Sequence, residues 1–121
     1  MNMLKKILPD PGGRFFHLHK SVAIVAPSYN MAPSKLKRAL QRLTALGFTV
    51  YYDKLPKFLK WSGSALQRGK QLTDFFADEK IDILWCLRGG MGCASAIPYI
   101  DFDVIAANKK LFIGYSDITS L

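Results

Sequence analysis

Residues 22–52 read V-A-I-V-A-P-S-Y-N-M-A-P-S-K-L-K-R-A-L-Q-R-L-T-A-L-G-F-T-V-Y-Y. Val22 to Ala26 is an unbroken apolar run, the length of a strand buried on both faces. Pro27 ends it. From Ser34 to Leu46, four leucines (Leu36, Leu40, Leu43 and Leu46) recur at three- and four-residue spacing. Lys and Arg fill the intervals, so this segment predicts an amphipathic helix. Gly47 suits the position just past its end, and Phe48 to Tyr52 reads as a second strand. Strand, helix and strand in this order predict a crossover unit with parallel strands.

The alternation continues downstream. Asp53 to Gly63 is a polar loop bearing Pro and Gly. Ser64 to Ala77 predicts a second helix with Leu66, Leu72, Phe75 and Phe76 inward. Gly69 in its middle costs about 1 kcal/mol relative to Ala. Ile81 to Leu87 is a third strand, followed by the loop Arg88 to Gly92. A short helix is expected from Cys93 to Ile97, before Pro98, and another from Asp101 to Ala107. Leu111 to Ile113 is the fourth strand. The expected fold is α/β: a parallel sheet of about four strands with helices on both faces, a flavodoxin-like or Rossmann-like three-layer architecture. Residues 1–20 read as a leader segment and 21–121 as the domain proper.

Composition narrows the function classes. The chain has 121 residues, enough for one domain with its own core. No apolar run approaches the ~18 residues of a membrane span. Lys5 and Lys6 precede no long apolar stretch, so no secretion signal is expected. Cys86 and Cys93 lack metal-site spacing and histidine neighbours, and they read as reduced thiols of a cytoplasmic protein. The net charge of +8 collects at Lys35 to Arg42 and Lys54 to Lys70. It reads as attraction to an anionic partner or as solvated helix faces. No nucleic-acid signature accompanies it, so no nucleic-acid partner is expected.

In open parallel sheets the chemistry lies beyond the carboxyl ends of the strands. The loops expected there are Pro27-Ser28-Tyr29, Arg88 to Gly92, and Gly114 to Asp117. Lys110 to Thr119 reads K-L-F-I-G-Y-S-D-I-T, an apolar strand meeting Gly and Ser where a helix should begin. That pattern approaches a nucleophile elbow, in which a tight turn lifts a serine hydroxyl above the sheet. Ile118 fills the second small position of G-x-S-x-G, so a Ser116 N-cap on a following helix is an equal reading. The glycines of Arg88 to Gly92 let backbone approach a ligand closely, as oxyanion donors, as an anion cradle or as a plain tight turn. Gly90 to Ser95 also approaches the dinucleotide fingerprint, but after the third strand rather than the first. Arg88 could take a substrate carboxylate or tie its loop to Asp117 or a helix end. Tyr115 and Trp85 are, by residue type, packing residues. His17 and His19 precede the first strand and should lie at the opposite edge of the sheet from Ser116.

Taken together, these residues resemble the amino-terminal domain of the LD-carboxypeptidase family, serine peptidases akin to the microcin C immunity peptidases. The resemblance runs from about Ser21 to Leu121. It rests on V-A-I-V-A-P-S at Val22 to Ser28, Leu46-Gly47-Phe48, Ile83 to Cys86, R-G-G-x-G at Arg88 to Gly92, and F-I-G-Y-S-D-I-T at Phe112 to Thr119. It implies release of a terminal D-residue, typically D-alanine from a murein tetrapeptide in cell-wall recycling. It implies Ser116 as nucleophile, and the Asp117 N–H with a glycine N–H of Gly89-Gly90 as oxyanion hole. Arg88, Met91 and Tyr115 would then line the substrate side. Met91 stands where the family commonly has tyrosine. The resemblance implies no metal or organic cofactor, and a cytoplasmic homodimer. It also implies a Glu and a His supplied by a second, carboxyl-terminal domain. The chain is therefore expected to be a truncated nucleophile domain, inactive alone. The alternatives are a microcin-type immunity peptidase, or a non-catalytic flavodoxin-like module binding an anion or nucleotide at the glycine loop.

Overall fold

The computed structural model describes residues 20–121. The leader reading, His17 and His19 lie outside them. Strand β1 (Ser21–Val25) leads through helix α1 (Pro33–Ala45) into β2 (Thr49–Tyr52). A two-stranded hairpin, β3 (Lys57–Phe58) and β4 (Trp61–Ser62), precedes helix α2 (Ala65–Ala77) and β5 (Ile83–Cys86). A one-turn helix α3 (Cys93–Ala96), a 3-10 turn (Ile97–Tyr99) and α4 (Phe102–Ala107) lead to β6 (Leu111–Ile113). The described chain closes on a 3-10 turn at Ser116–Ser120.

The main sheet has four parallel strands in the order β2-β1-β5-β6. Val22 pairs with Val50 on one side and Ile83 on the other, and Leu84 pairs with Phe112. The expected α/β sheet is therefore present. Strand order reverses at β1, so the loops after β1 and β5 flank the switch point where such sheets bind ligands.

The core splits into two layers. Val22, Ile24 and Ile83 pack with Leu36, Leu40 and Leu43 of α1 and with Leu46 just past its end. Ala23, Val25, Leu84 and Cys86 point the other way, toward Leu72 and Phe76 of α2 and Cys93 of α3. Alternate residues of each strand thus serve opposite faces, which is why the strands read as apolar throughout. Coverage is uneven. Trp85 and Leu111 are 38% and 49% exposed, so on the α1 side the β5–β6 half of the sheet lies open among the described residues.

Local departures have physical causes. Helix α1 begins at Pro33, whose fixed φ suits a first helical turn. Ser64 is the N-cap of α2 rather than its first residue, in a reciprocal capping box with Gln67. Asp101 likewise caps α4, accepting from the N–H groups of Asp103 and Val104. The hairpin falls inside the segment that reads as a loop. It lacks an Asn-Gly turn and instead places Leu59 at φ 54°. The Asn30 N–H donating to Lys60 O at 2.7 Å, and the Tyr29–Trp61 bridge, hold the hairpin on the loop after β1.

Gly69 has a packing reason. A β-carbon there would meet Ala96 O at 2.7 Å and Tyr99 Cβ at 2.7 Å, so α2 approaches the α3 segment with no side chain between. Gly69→Ala is expected to destabilise the fold by about 1–3 kcal/mol. That outweighs the ~1 kcal/mol that Ala gains in helix propensity. Urea unfolding of the two chains checks this, and a stabilised variant would contradict the packing.

Candidate active site

At the carboxyl edge of the sheet, Arg68 ties together the loop after β1, the end of the hairpin and the start of α3. It lies in the first turns of α2 and is 3% exposed. Its Nε donates to Pro27 O at 3.1 Å, and its Nη1 to Gly63 O at 2.9 Å. Its Nη2 donates to Gly92 O at 3.2 Å and Ser95 Oγ at 3.1 Å. Burial lowers the guanidinium's pKa, while the nearby Cys93 and Asp117 oppose that fall. Trp61 stacks against it with Cζ 5.7 Å from the ring centroid, and donates its own Nε1–H to Met91 O at 2.9 Å.

Ser116 stands exposed at the end of β6 with φ 59°, the left-handed region that a β-carbon disfavours. It is the first residue of the 3-10 turn, and the N-cap position is Tyr115, which makes no side-chain capping bond. The N-cap reading of Ser116 is thus replaced by a strained turn that presents the hydroxyl outward.

The glycine loop lies directly against this turn. A β-carbon on Gly89 would meet Ser116 Cβ at 2.8 Å, Ser116 Oγ at 3.1 Å and Asp117 N at 3.4 Å. Only a glycine lets the backbone come this close to the hydroxyl. Gly90 has φ 142°, and its α-carbon faces the Tyr29 ring, where a β-carbon would fall 2.4 Å from Cγ.

The Asp117 side chain points inward. Its Oδ2 accepts the Ser28 hydroxyl at 2.6 Å and the Cys93 N–H at 3.0 Å. Arg88 does not tie its loop to Asp117. Its Nε donates to Gly89 O at 3.2 Å and its Cζ lies 5.7 Å over the Tyr29 ring. Lys60 Nζ also lies 5.6 Å from that ring centroid. Tyr115 and Met91 are 67% and 64% exposed, so Tyr115 is no packing residue here. Residue type alone pointed to Tyr115 packing, but the turn swings it outward. Sequence reasoning missed Arg68, Trp61 and the bonding of Ser28. The only signal was an Arg with a glycine, Gly69, beside it early in α2.

The sequence profile of the LD-carboxypeptidase N-terminal domain matches residues 22–121. The chain belongs to that family. It is 32% identical over 103 residues to the murein tetrapeptide carboxypeptidase of Pseudomonas aeruginosa, covering 83% of this chain and 34% of that protein. It is 31% identical over 98 residues to the microcin C7 self-immunity protein MccF of Escherichia coli, covering 79% of this chain and 28% of that one. The crystal structure of muramoyltetrapeptide carboxypeptidase from Oxalobacter formigenes superposes with a TM-score of 0.78 at 28% identity. That superposition covers 83% of this chain and 34% of the other. The chain thus spans about a third of the length of the curated relatives it matches. No helix among the described residues is long and apolar enough to cross a membrane.

Both cysteines are free and buried. Burial pushes the Cys86 thiol up to about 12 and the Cys93 thiol up to about 11, from an ordinary value of 9.0. Folding therefore favours the protonated thiols. That contribution is complete below pH 9 and is lost as pH climbs toward the folded values. The urea midpoint is expected to fall steadily above pH 9, and Cys86→Ala should flatten part of the slope. Equal slopes for the two chains would contradict the assignment.

Proposed function

We propose that this chain is the nucleophile-bearing domain of a serine peptidase that removes a terminal D-amino acid from murein peptides. The observation that carries the reading is Ser116 itself. It is exposed in a left-handed turn at the carboxyl edge, with Gly89 and the Asp117 nitrogen beside its hydroxyl. A hydroxyl so placed can attack a carbonyl carbon while neighbouring N–H groups receive the developing oxyanion. The Asp117 N–H and a donor from Gly89 or Gly90 fill that role. The C–N bond then breaks, the amine of the D-residue leaves with a proton, and water hydrolyses the acyl-serine.

A base must take the serine proton, give it as its conjugate acid to the leaving amine, and then activate the water. None of the described residues is a histidine. In this reading the Glu and His come from a carboxyl-terminal domain beyond the family region matched here. Arg88, Met91 and Tyr115 form the substrate-side rim, and their exposure fits a surface that another domain closes. No metal or organic cofactor takes part. The reading extends to a cytoplasmic homodimer acting in cell-wall recycling.

The named substrate of the Pseudomonas aeruginosa relative supports the murein peptide. The match to MccF supports a second substrate class, a microcin-type peptide conjugate, with the same chemistry. The one-turn length of α3 weighs against a nucleotide module, because a dinucleotide fingerprint opens a full helix.

The test mixes the 121-residue chain with a separately expressed carboxyl-terminal domain of the Pseudomonas aeruginosa relative, on a murein tetrapeptide and on a microcin-type conjugate. The chain alone should release no D-alanine. The mixture should, and Ser116→Ala should abolish turnover by on the order of 10⁶-fold. A fluorophosphonate probe should label Ser116 in the mixture. Turnover that survives Ser116→Ala would remove the serine from the mechanism.

A further inference from the structure

Ser28 lies in the loop that leaves β1, at the switch point of the sheet, and it is fully buried at 0% exposure. Its hydroxyl has two acceptors in reach, Met91 O at 3.3 Å and Asp117 Oδ2 at 2.6 Å. One proton serves one of them well. The shorter, charge-assisted bond to the carboxylate wins. Asp117 directly follows Ser116, so its carboxylate is the side-chain handle on the strained turn.

Besides its backbone bonds, Ile118 N–H to Tyr115 O at 3.2 Å and Leu121 N–H to Ile118 O at 3.0 Å, three side chains hold that turn. Thr119 Oγ1 donates to Ser116 O at 2.6 Å, a bond local to the turn. Ile118 is buried at 3% exposure and anchors without direction. The Asp117 carboxylate alone of these joins the turn by directed bonds to two other elements, the loop after β1 through Ser28 and the start of α3 through the Cys93 N–H. A residue in the left-handed region persists only where its surroundings over-determine it. Here the over-determination runs through a buried hydroxyl in the loop after a different strand.

We propose that Ser28 is a positioning residue: its hydroxyl grips the Asp117 carboxylate and thereby holds Ser116 in its left-handed turn, with the Asp117 N–H in register against Gly89. Its consequence for catalysis rests on the peptidase reading, whereas its consequence for backbone geometry does not. Ser28 never touches substrate. It acts on a donor and a nucleophile that do.

The experiment compares the 121-residue chain with Ser28→Ala and Ser28→Thr by NMR. The three-bond HN–Hα coupling and the Cα shift of Ser116 report its φ, and a thermal melt reports global stability. The same chains, mixed with the carboxyl-terminal domain used above, are timed for fluorophosphonate labelling of Ser116. Ser28→Ala should stay folded, lose the left-handed signature at Ser116, and shift the amide signals of Gly89 and Asp117. Its labelling should slow by about tenfold to a hundredfold. Ser28→Thr, which keeps the hydroxyl, should restore signature and rate. Unchanged coupling and labelling in Ser28→Ala would overturn the proposal. Release of the turn in Ser28→Ala, with no labelling even of the unmodified chain, would uphold the positioning role and sink the peptidase reading instead. Should Ser28→Ala not fold, Ser28→Cys keeps the volume with a weak donor. Loss of the left-handed signature there supports the proposal, and its retention overturns it.

Discussion

A guanidinium buried beneath the carboxyl edge is the constraint on which the rest depends. Arg68 has no carboxylate in salt-bridge range among the described residues, and instead donates to three backbone carbonyls and a hydroxyl. The four acceptors belong to three pieces of the edge: the loop after β1, the end of the hairpin, and the start of α3, which supplies two. A buried cation is tolerated only when it is saturated with hydrogen bonds, so these pieces have to assemble around it together. The capping box at Ser64 starts α2 at the right residue to present Arg68 there. Asp117, across the same layer, contributes the compensating charge.

From that point the edge builds outward in order. Arg68 sets Pro27 and Gly92, and with them Ser28 and Cys93. Those two meet the Asp117 carboxylate, which carries the Ser116 turn. Gly89 then lies against the hydroxyl because no side chain intervenes. The hairpin closes the flank through Trp61 and Tyr29, whose rings meet edge-on with centroids 5.8 Å apart. The loops are irregular, yet each is bonded to another element.

Much of the fold was legible in the sequence because burial on two faces writes itself as continuous apolar runs. Val22 to Val25 and Ile83 to Cys86 are such runs, and the leucines of α1 repeat at helical spacing. The hairpin was not legible. Its strands are two residues each, and its turn uses Leu59 in a backbone region usually marked by Gly or Asn. Tertiary bonds from Asn30 and Trp61 supply what turn chemistry does not. In the site, the Gly-Tyr-Ser-Asp and Arg-Gly-Gly patterns marked two loops that the fold brings side by side. Local pattern could not separate a strained serine from a capping one, because the difference is a single φ, and the turn's directed contacts come from the loop after β1 and from α3.

The sequence by itself determined the parallel α/β sheet, the edge at which its small-residue loops would gather, and Ser116 as the hydroxyl to watch. Periodicity and residue size are local properties, and they survive reading one segment at a time. Only the tertiary structure decided that Ser116 is left-handed, that Gly89 lies against it, and that Arg68, Ser28 and Asp117 bind the edge together. Those contacts join residues 24 to 89 positions apart, and Coulomb attraction and close packing act on distance in space rather than on order along the chain.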